Sequence, residues 1–120
     1  MDTHEIVDQA ALDRLVEWGG DKLLRQMLRL FLENSRVRLN DMQDALDSGG
    51  DLDDVHRGAH SLKSSAANVG AMQVSAVAAR LEAVADAGDR DGSTGLFREL
   101  VEAYDVAEVR LQGVLEGVEA

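Results

Sequence analysis

The 120-residue chain has no cysteine and no proline, and aromatic side chains make up only 3% of it. Without cysteine, disulfides and thiolate metal sites are excluded, and the absence fits a reducing compartment. The missing proline and scarce aromatics argue against an all-β fold, which at this size carries frequent turn signals and β-branched or aromatic runs. Positive charge is also scarce, with 12 basic against 23 acidic residues and a formal net charge of -11. Such a chain is repelled by nucleic acid and by anionic membrane surfaces, so neither is expected as a partner. No apolar run approaches the length of a membrane span. The start Met1-Asp2-Thr3-His4-Glu5 shows neither the basic residues nor the apolar stretch of a signal peptide, and a cytoplasmic protein is expected.

What the chain does contain is aliphatic. Hydrophobic residues make up 45%, too many for a disordered acidic tail, and a mass of 13.0 kDa fits one domain over residues 1–120. Glycines divide it into five helical segments. Asp8 is placed to cap a short helix over about 9–18, ended by Gly19 and Gly20. Asp21 begins a second helix over about 22–47, with Leu24, Leu28, Phe31, Leu39, Met42 and Leu46 on one face and Ser35 at a small position. Asp51 caps a third, over 52–69, with Asp53 and Asp54 in the first turn, where the helix dipole favours negative charge. Gly70 is a left-handed stop. A fourth helix over about 71–87 buries Val74, Val77, Ala78, Leu81, Val84 and Ala85, and Gly88 ends it. After a polar turn at 89–93, a fifth carries Leu96, Leu100, Tyr104, Ala107, Leu111, Val114 and Val118. The pattern predicts an all-α protein: an antiparallel four-helix bundle with an additional short N-terminal helix covering one end. Each apolar stripe has the width that a monomeric bundle buries, so a monomer is expected.

The third helix carries the chemistry. Its core stripe is Leu52, Val55, Ala59, Leu62, Ala66 and Val69, in alternating steps of three and four. At about 100° per residue, His60 falls roughly 130° from the centre of that stripe. His56, Lys63, Ser64 and Ala67 share its side of the helix, so His60 is predicted at the surface among small or cationic neighbours. Histidine is a neutral nucleophile near pH 7. A lysine one turn on can sit beside an anion held on that ring. His56, Arg57 and Lys63 form a small basic island on an acidic chain, suited to a phosphoryl group on His60 and to an acidic partner. The bland alternative is that these side chains are only a solvated helix face.

Other chemistries fit less well. His56 and His60 stand at i and i+4, a zinc-binding spacing, yet no glutamate follows His56 as in a metalloprotease helix, and a third ligand would have to come from elsewhere. No nucleophile elbow, P-loop or kinase glycine loop is present, so neither serine hydrolysis nor direct use of ATP is expected.

The run His60-Ser61-Leu62-Lys63-Ser64-Ser65-Ala66-Ala67-Asn68-Val69-Gly70 resembles the phosphoacceptor helix of histidine-containing phosphotransfer (HPt) domains, the helical modules of multistep phosphorelays. The Gly20-Asp21 helix start, Phe31 and the Leu81-Glu82 pair fit the same layout over essentially the whole chain. The resemblance implies a phosphocarrier without its own ATP site. His60 would accept a phosphoryl group from a receiver-domain aspartate and pass it to another receiver. Lys63 would lie next to the phosphoryl group, and Glu82 would hydrogen-bond the histidine ring. Ser64 stands where the family most often has glycine for close docking, and Ser65 matches a small or hydroxyl position. His56, Arg57, Ser64, Ser65 and Ala67 are the expected contacts with receiver domains of response regulators or of a hybrid kinase. No cofactor is expected on this chain, Mg²⁺ being supplied by the receiver. The protein is expected either to stand alone or to be a domain of a larger hybrid kinase. A non-catalytic helical adaptor that binds a partner without phosphotransfer is the alternative.

Overall fold

The computed structural model describes residues 4–119. Among them are four helices and no strand: α1 (Gln9–Asp47), α2 (Asp53–Asn68), α3 (Met72–Asp86) and α4 (Arg90–Glu119). The connections are only a few residues long, which makes sequential helices antiparallel neighbours. α2 packs on α3, α3 on α4, and α1 closes the ring against both α2 and α4. No helix is long and apolar enough among the described residues to cross a membrane.

The predicted first and second helices are both present, without a loop between them. α1 runs through from Gln9 to Asp47 and breaks only at Gly20, whose φ of 69° and ψ of -168° leave helical space for one residue. The glycine makes the kink at which the expected first helix gives way to the second, with Asp21 as the first residue beyond it. The first arm opens as expected, with the Asp8 carboxylate accepting from the Ala10 amide at 3.1 Å. Ala11, Leu12 and Leu15 are buried, and the Asp8 amide donates to the Gly70 carbonyl at 2.7 Å. The Gln73 amide also reaches the Glu5 carbonyl at 3.1 Å. The N-terminal arm thus covers the end of the bundle where α2 turns into α3.

The core follows the predicted stripes in α1, α2 and α3, except that Leu46, Leu52 and Val84 are only partly covered. Leu24, Leu28, Phe31, Ser35, Leu39 and Met42 are buried from α1, and Val55, Ala59, Leu62, Ala66 and Val69 from the second stripe. Each leucine or valine taken fully from water contributes about 1.5–3 kcal/mol. The fourth stripe departs from expectation. α4 starts at Arg90, inside the region read as a turn, because the Asp89 carboxylate accepts from the Gly92 amide at 2.8 Å and caps it. That earlier start buries Ser93, and the apolar face continues through Phe97, Leu100, Tyr104, Ala107, Leu111 and Leu115. Leu96, Val114 and Val118 sit at its partly covered edge.

Tyr104 shows how a polar atom is carried inside. Its hydroxyl donates to the Leu32 carbonyl at 3.3 Å, and Arg36 lies 4.9 Å over its ring while pairing with Glu108 and Asp105. Burial raises the Tyr104 phenol far above its ordinary value, so it remains a neutral donor.

A histidine, a carboxylate and a lysine across two helices

α2 is a thin helix on the side that meets its neighbours. Gly58 and Ala59 are buried, and a Cβ on Gly58 would lie 2.7 Å from the Met42 Cγ and Sδ atoms. The missing side chain therefore lets α1 and α2 approach closely. With the apolar stripe turned inward, His60 points outward, and its side chain is 59% exposed.

Glu82 comes from α3, directly after the buried Leu81, and sits at the seam between the two helices with 20% of its side chain exposed. Its Oε1 lies 3.0 Å from His60 Nδ1, and its Oε2 lies 2.9 Å from Lys63 Nζ. Oε2 is sealed from solvent and makes an ion pair with Lys63 rather than an aligned hydrogen bond. The Lys63 ammonium, and after it His60, hold the Glu82 carboxyl below its ordinary value of 4.5. Glu82 is therefore ionised at neutral pH and can only accept. The proton between them belongs to His60 Nδ1, which leaves Nε2 unprotonated in the neutral ring.

The same antiparallel register makes a second pair. Four residues back on α2 and four residues forward on α3, His56 Nε2 lies 3.9 Å from Asp86 Oδ1. Each member of the predicted basic island thus has a carboxylate beside it: His56 faces Asp86, Lys63 pairs with Glu82, and Arg57 pairs with Asp54 one turn back on its own helix. Asp86 and Glu82 come from the neighbouring helix, so the count along α2 alone does not reveal these pairs.

The remaining expected contacts do not all share the histidine's side of α2, since Ser65 lines the depression against α1. Ser64 is exposed, and Ser65 and Ala67 are half-buried, with the Ser65 hydroxyl turned back to the Leu62 carbonyl at 3.3 Å. One contributor went unread in the sequence. The Ser75 hydroxyl of α3 donates to the Lys63 carbonyl at 2.8 Å, tying the two helices one step from the ion pair. Its place seven residues before Glu82, on the same face of α3, was the available signal. Asp86, four residues after Glu82, could have been read the same way.

His60 itself lies on an open surface. Two depressions follow the seam between α1 and α2, of about 590 Å³ beside Asp54 and Gly58 and about 100 Å³ beside Ser65 and Asn68, with Arg38 lining both. Neither includes His60. A nucleophile on an open surface suits reaction with a group that another macromolecule presents, and does not suit an enclosed small substrate.

The sequence profile of the Hpt domain matches residues 26–120. Among curated protein sequences no significant match was found. In structure, the chain is similar to histidine-containing phosphotransfer protein B (HptB) from Pseudomonas aeruginosa PAO1, with a TM-score of 0.86 and 23% identity over 92% of this chain and 95% of that one. It is also similar to the maize histidine-containing phosphotransfer protein ZmHP2, with a TM-score of 0.82 and 23% identity over 95% and 85% of the two chains. The protein MtHPt2 from Medicago truncatula superimposes with a TM-score of 0.80 and 20% identity over 95% and 79%. At these identities the likeness in structure speaks for the fold, while the profile spans most of the sequence, from α1 through the His60 helix to the end of α4. The chain belongs to the Hpt domain family, the phosphocarriers of two-component phosphorelays.

Proposed function

We propose that His60 is the phosphoacceptor of this phosphorelay intermediate. The observation that carries the reading is the bond between His60 Nδ1 and the ionised Glu82 at 3.0 Å, on a ring that stays open to an approaching partner. Glu82 accepts a hydrogen bond from Nδ1–H and leaves the lone pair of Nε2 directed outward. Nε2 attacks the acyl phosphate of a receiver-domain aspartate. The P–N bond forms as the P–O bond to the aspartate breaks, and the receiver carboxylate is released. The proton on Nδ1 remains in place, and Glu82 balances the positive charge that the ring acquires. Transfer to a second receiver reverses these steps.

Positioning and charge do most of the work in such a transfer. The receiver's acidic pocket would hold Mg²⁺, and Lys63 would add one positive charge from this side. His56, Arg57, Ser64, Ser65 and Ala67 form the surface on which the receiver would rest. With the cations already paired, steering would depend on shape and on small side chains more than on a positive field. Ser64, one turn from His60, sets how near the receiver backbone can come. The chain is proposed to act in the cytoplasm as a monomer, since one face must serve successive receivers.

Incubation with a phosphorylated receiver domain tests the assignment. Label that is acid-labile, base-stable and lost in His60→Gln, with helicity unchanged, is the expected result. Label that survives His60→Gln, or its absence with several active receivers, would move the protein to the adaptor class.

A further inference from the structure

Given His60 as the phosphoacceptor, we infer that Lys63 is a positioning residue. It fixes the Glu82 carboxylate, holds His60 in its Nδ1–H form through that carboxylate, and keeps this pairing while His60 carries phosphate.

The argument starts from Oε2 of Glu82. That atom is sealed from solvent, and its one partner among the described residues is the Lys63 ammonium at 2.9 Å. If Lys63 swung away to an oxygen of the phosphoryl group, a charged oxygen would remain buried with nothing beside it. A bare buried acceptor costs more than an ordinary hydrogen bond yields, and a charged one costs more still. Lys63 carries three N–H donors, so it can turn one toward the phosphoryl group without leaving Glu82. The Ser75 hydroxyl on the Lys63 carbonyl holds the lysine backbone to α3, on the side where Glu82 lies.

The effect on His60 follows from the shape of a carboxylate. Its two oxygens are rigidly linked, so pinning Oε2 fixes the direction of Oε1. Oε1 is the atom at 3.0 Å from Nδ1. Without Lys63 the carboxylate is free to rotate toward water or to take up a proton, and either change weakens its hold on the Nδ1–H form. Lys63 therefore acts on the nucleophile before any phosphate is present.

The first arm of the test needs no phosphate. Nitrogen-15 spectra of the imidazole in the unphosphorylated full chain report the ratio of the two neutral tautomers. Lys63→Ala is expected to move that ratio away from Nδ1–H by about tenfold, the scale of losing a charge-assisted hydrogen bond, and Lys63→Arg to restore most of it. An unchanged ratio in Lys63→Ala overturns the inference, whatever residue is the phosphoacceptor.

The second arm is a double-mutant cycle on the rate of transfer from a phosphorylated receiver. Lys63→Ala is expected to slow transfer in the native background and to change it by less than about twofold once Glu82 is alanine. Equal slowing in both backgrounds would mean that Lys63 acts on the phosphoryl group independently of Glu82, and would also overturn the inference. A chain that takes no label on His60 would instead fail the phosphoacceptor assignment, which the tautomer ratio leaves untouched.

Discussion

Alanine at Gly70 would introduce two separate faults, and a second glycine allows them to be measured apart. Gly70 follows α2 with a φ of 78°, a region that costs an L-residue about 1–2 kcal/mol. It also lies against the N-terminal arm. A Cβ there would stand 2.6 Å from the Asp8 carbonyl oxygen, 3.1 Å from the Ala11 Cβ and 3.2 Å from the Asp8 nitrogen. Two of these atoms are backbone, and the Asp8 amide is already bonded to the Gly70 carbonyl, so relief requires the arm to lift. Overpacking of that kind costs about 1–3 kcal/mol. Gly88 ends α3 with nearly the same φ, 75°, and nothing lies within 4 Å of where its Cβ would be. Gly88→Ala should therefore cost only the backbone part, about 1–2 kcal/mol, and Gly70→Ala about 2–5 kcal/mol. Gains from a less flexible unfolded chain are alike for the two variants and cancel in their difference. Urea unfolding followed by circular dichroism gives both numbers if the slope with denaturant is unchanged. A difference of less than about 0.5 kcal/mol would refute the close approach of Asp8 to Gly70, and with it the account of why the arm seats on the α2–α3 turn.

Glu82 makes stability depend on pH in a stated direction. Its folded-state carboxyl lies below the ordinary 4.5, chiefly through Lys63 and then His60, so the stabilisation is present above the unfolded value and disappears as pH falls through the folded one. The stability difference between wild type and Glu82→Gln should shrink in acid as pH falls below 4.5; a difference that stays level through that range in denaturant titrations would contradict the ion pair. Ser75→Ala removes the hydroxyl that meets the Lys63 carbonyl at 2.8 Å and should lower stability by about 1 kcal/mol in the same assay, while phosphotransfer stays within about twofold because Glu82 keeps both partners. A loss of transfer out of proportion to that change in stability would give Ser75 a larger part in the site than its geometry assigns.

The stripe Val55, Ala59, Leu62 and Ala66 already declares an amphipathic helix, and its period of 3.6 puts His60 outside before any neighbour is known. The positive φ of Gly70 and Gly88 was legible for the same local reason, since both follow the last residue of an apolar run. The direct joining of the first two helices at Gly20, without a loop, and the early start of α4 were less legible. In each case one residue decides between a bend and a loop, and an Asp89 that caps looks the same in sequence as an Asp89 in a turn. The family resemblance pointed to Glu82 beside the ring, but period and spacing within α2 could not have done so.

Local sequence thus determined the helices, the face each one buries and the side of α2 on which the histidine stands, because these depend on residues three or four apart. The tertiary structure alone decided which charges meet. Whether Arg57 turns to Asp54 or to a partner, whether His56 finds Asp86, and whether one carboxylate serves both His60 and Lys63 all depend on the register between α2 and α3 or on the direction of long side chains. Buried aliphatic packing sets that register, and the polar seam follows from it.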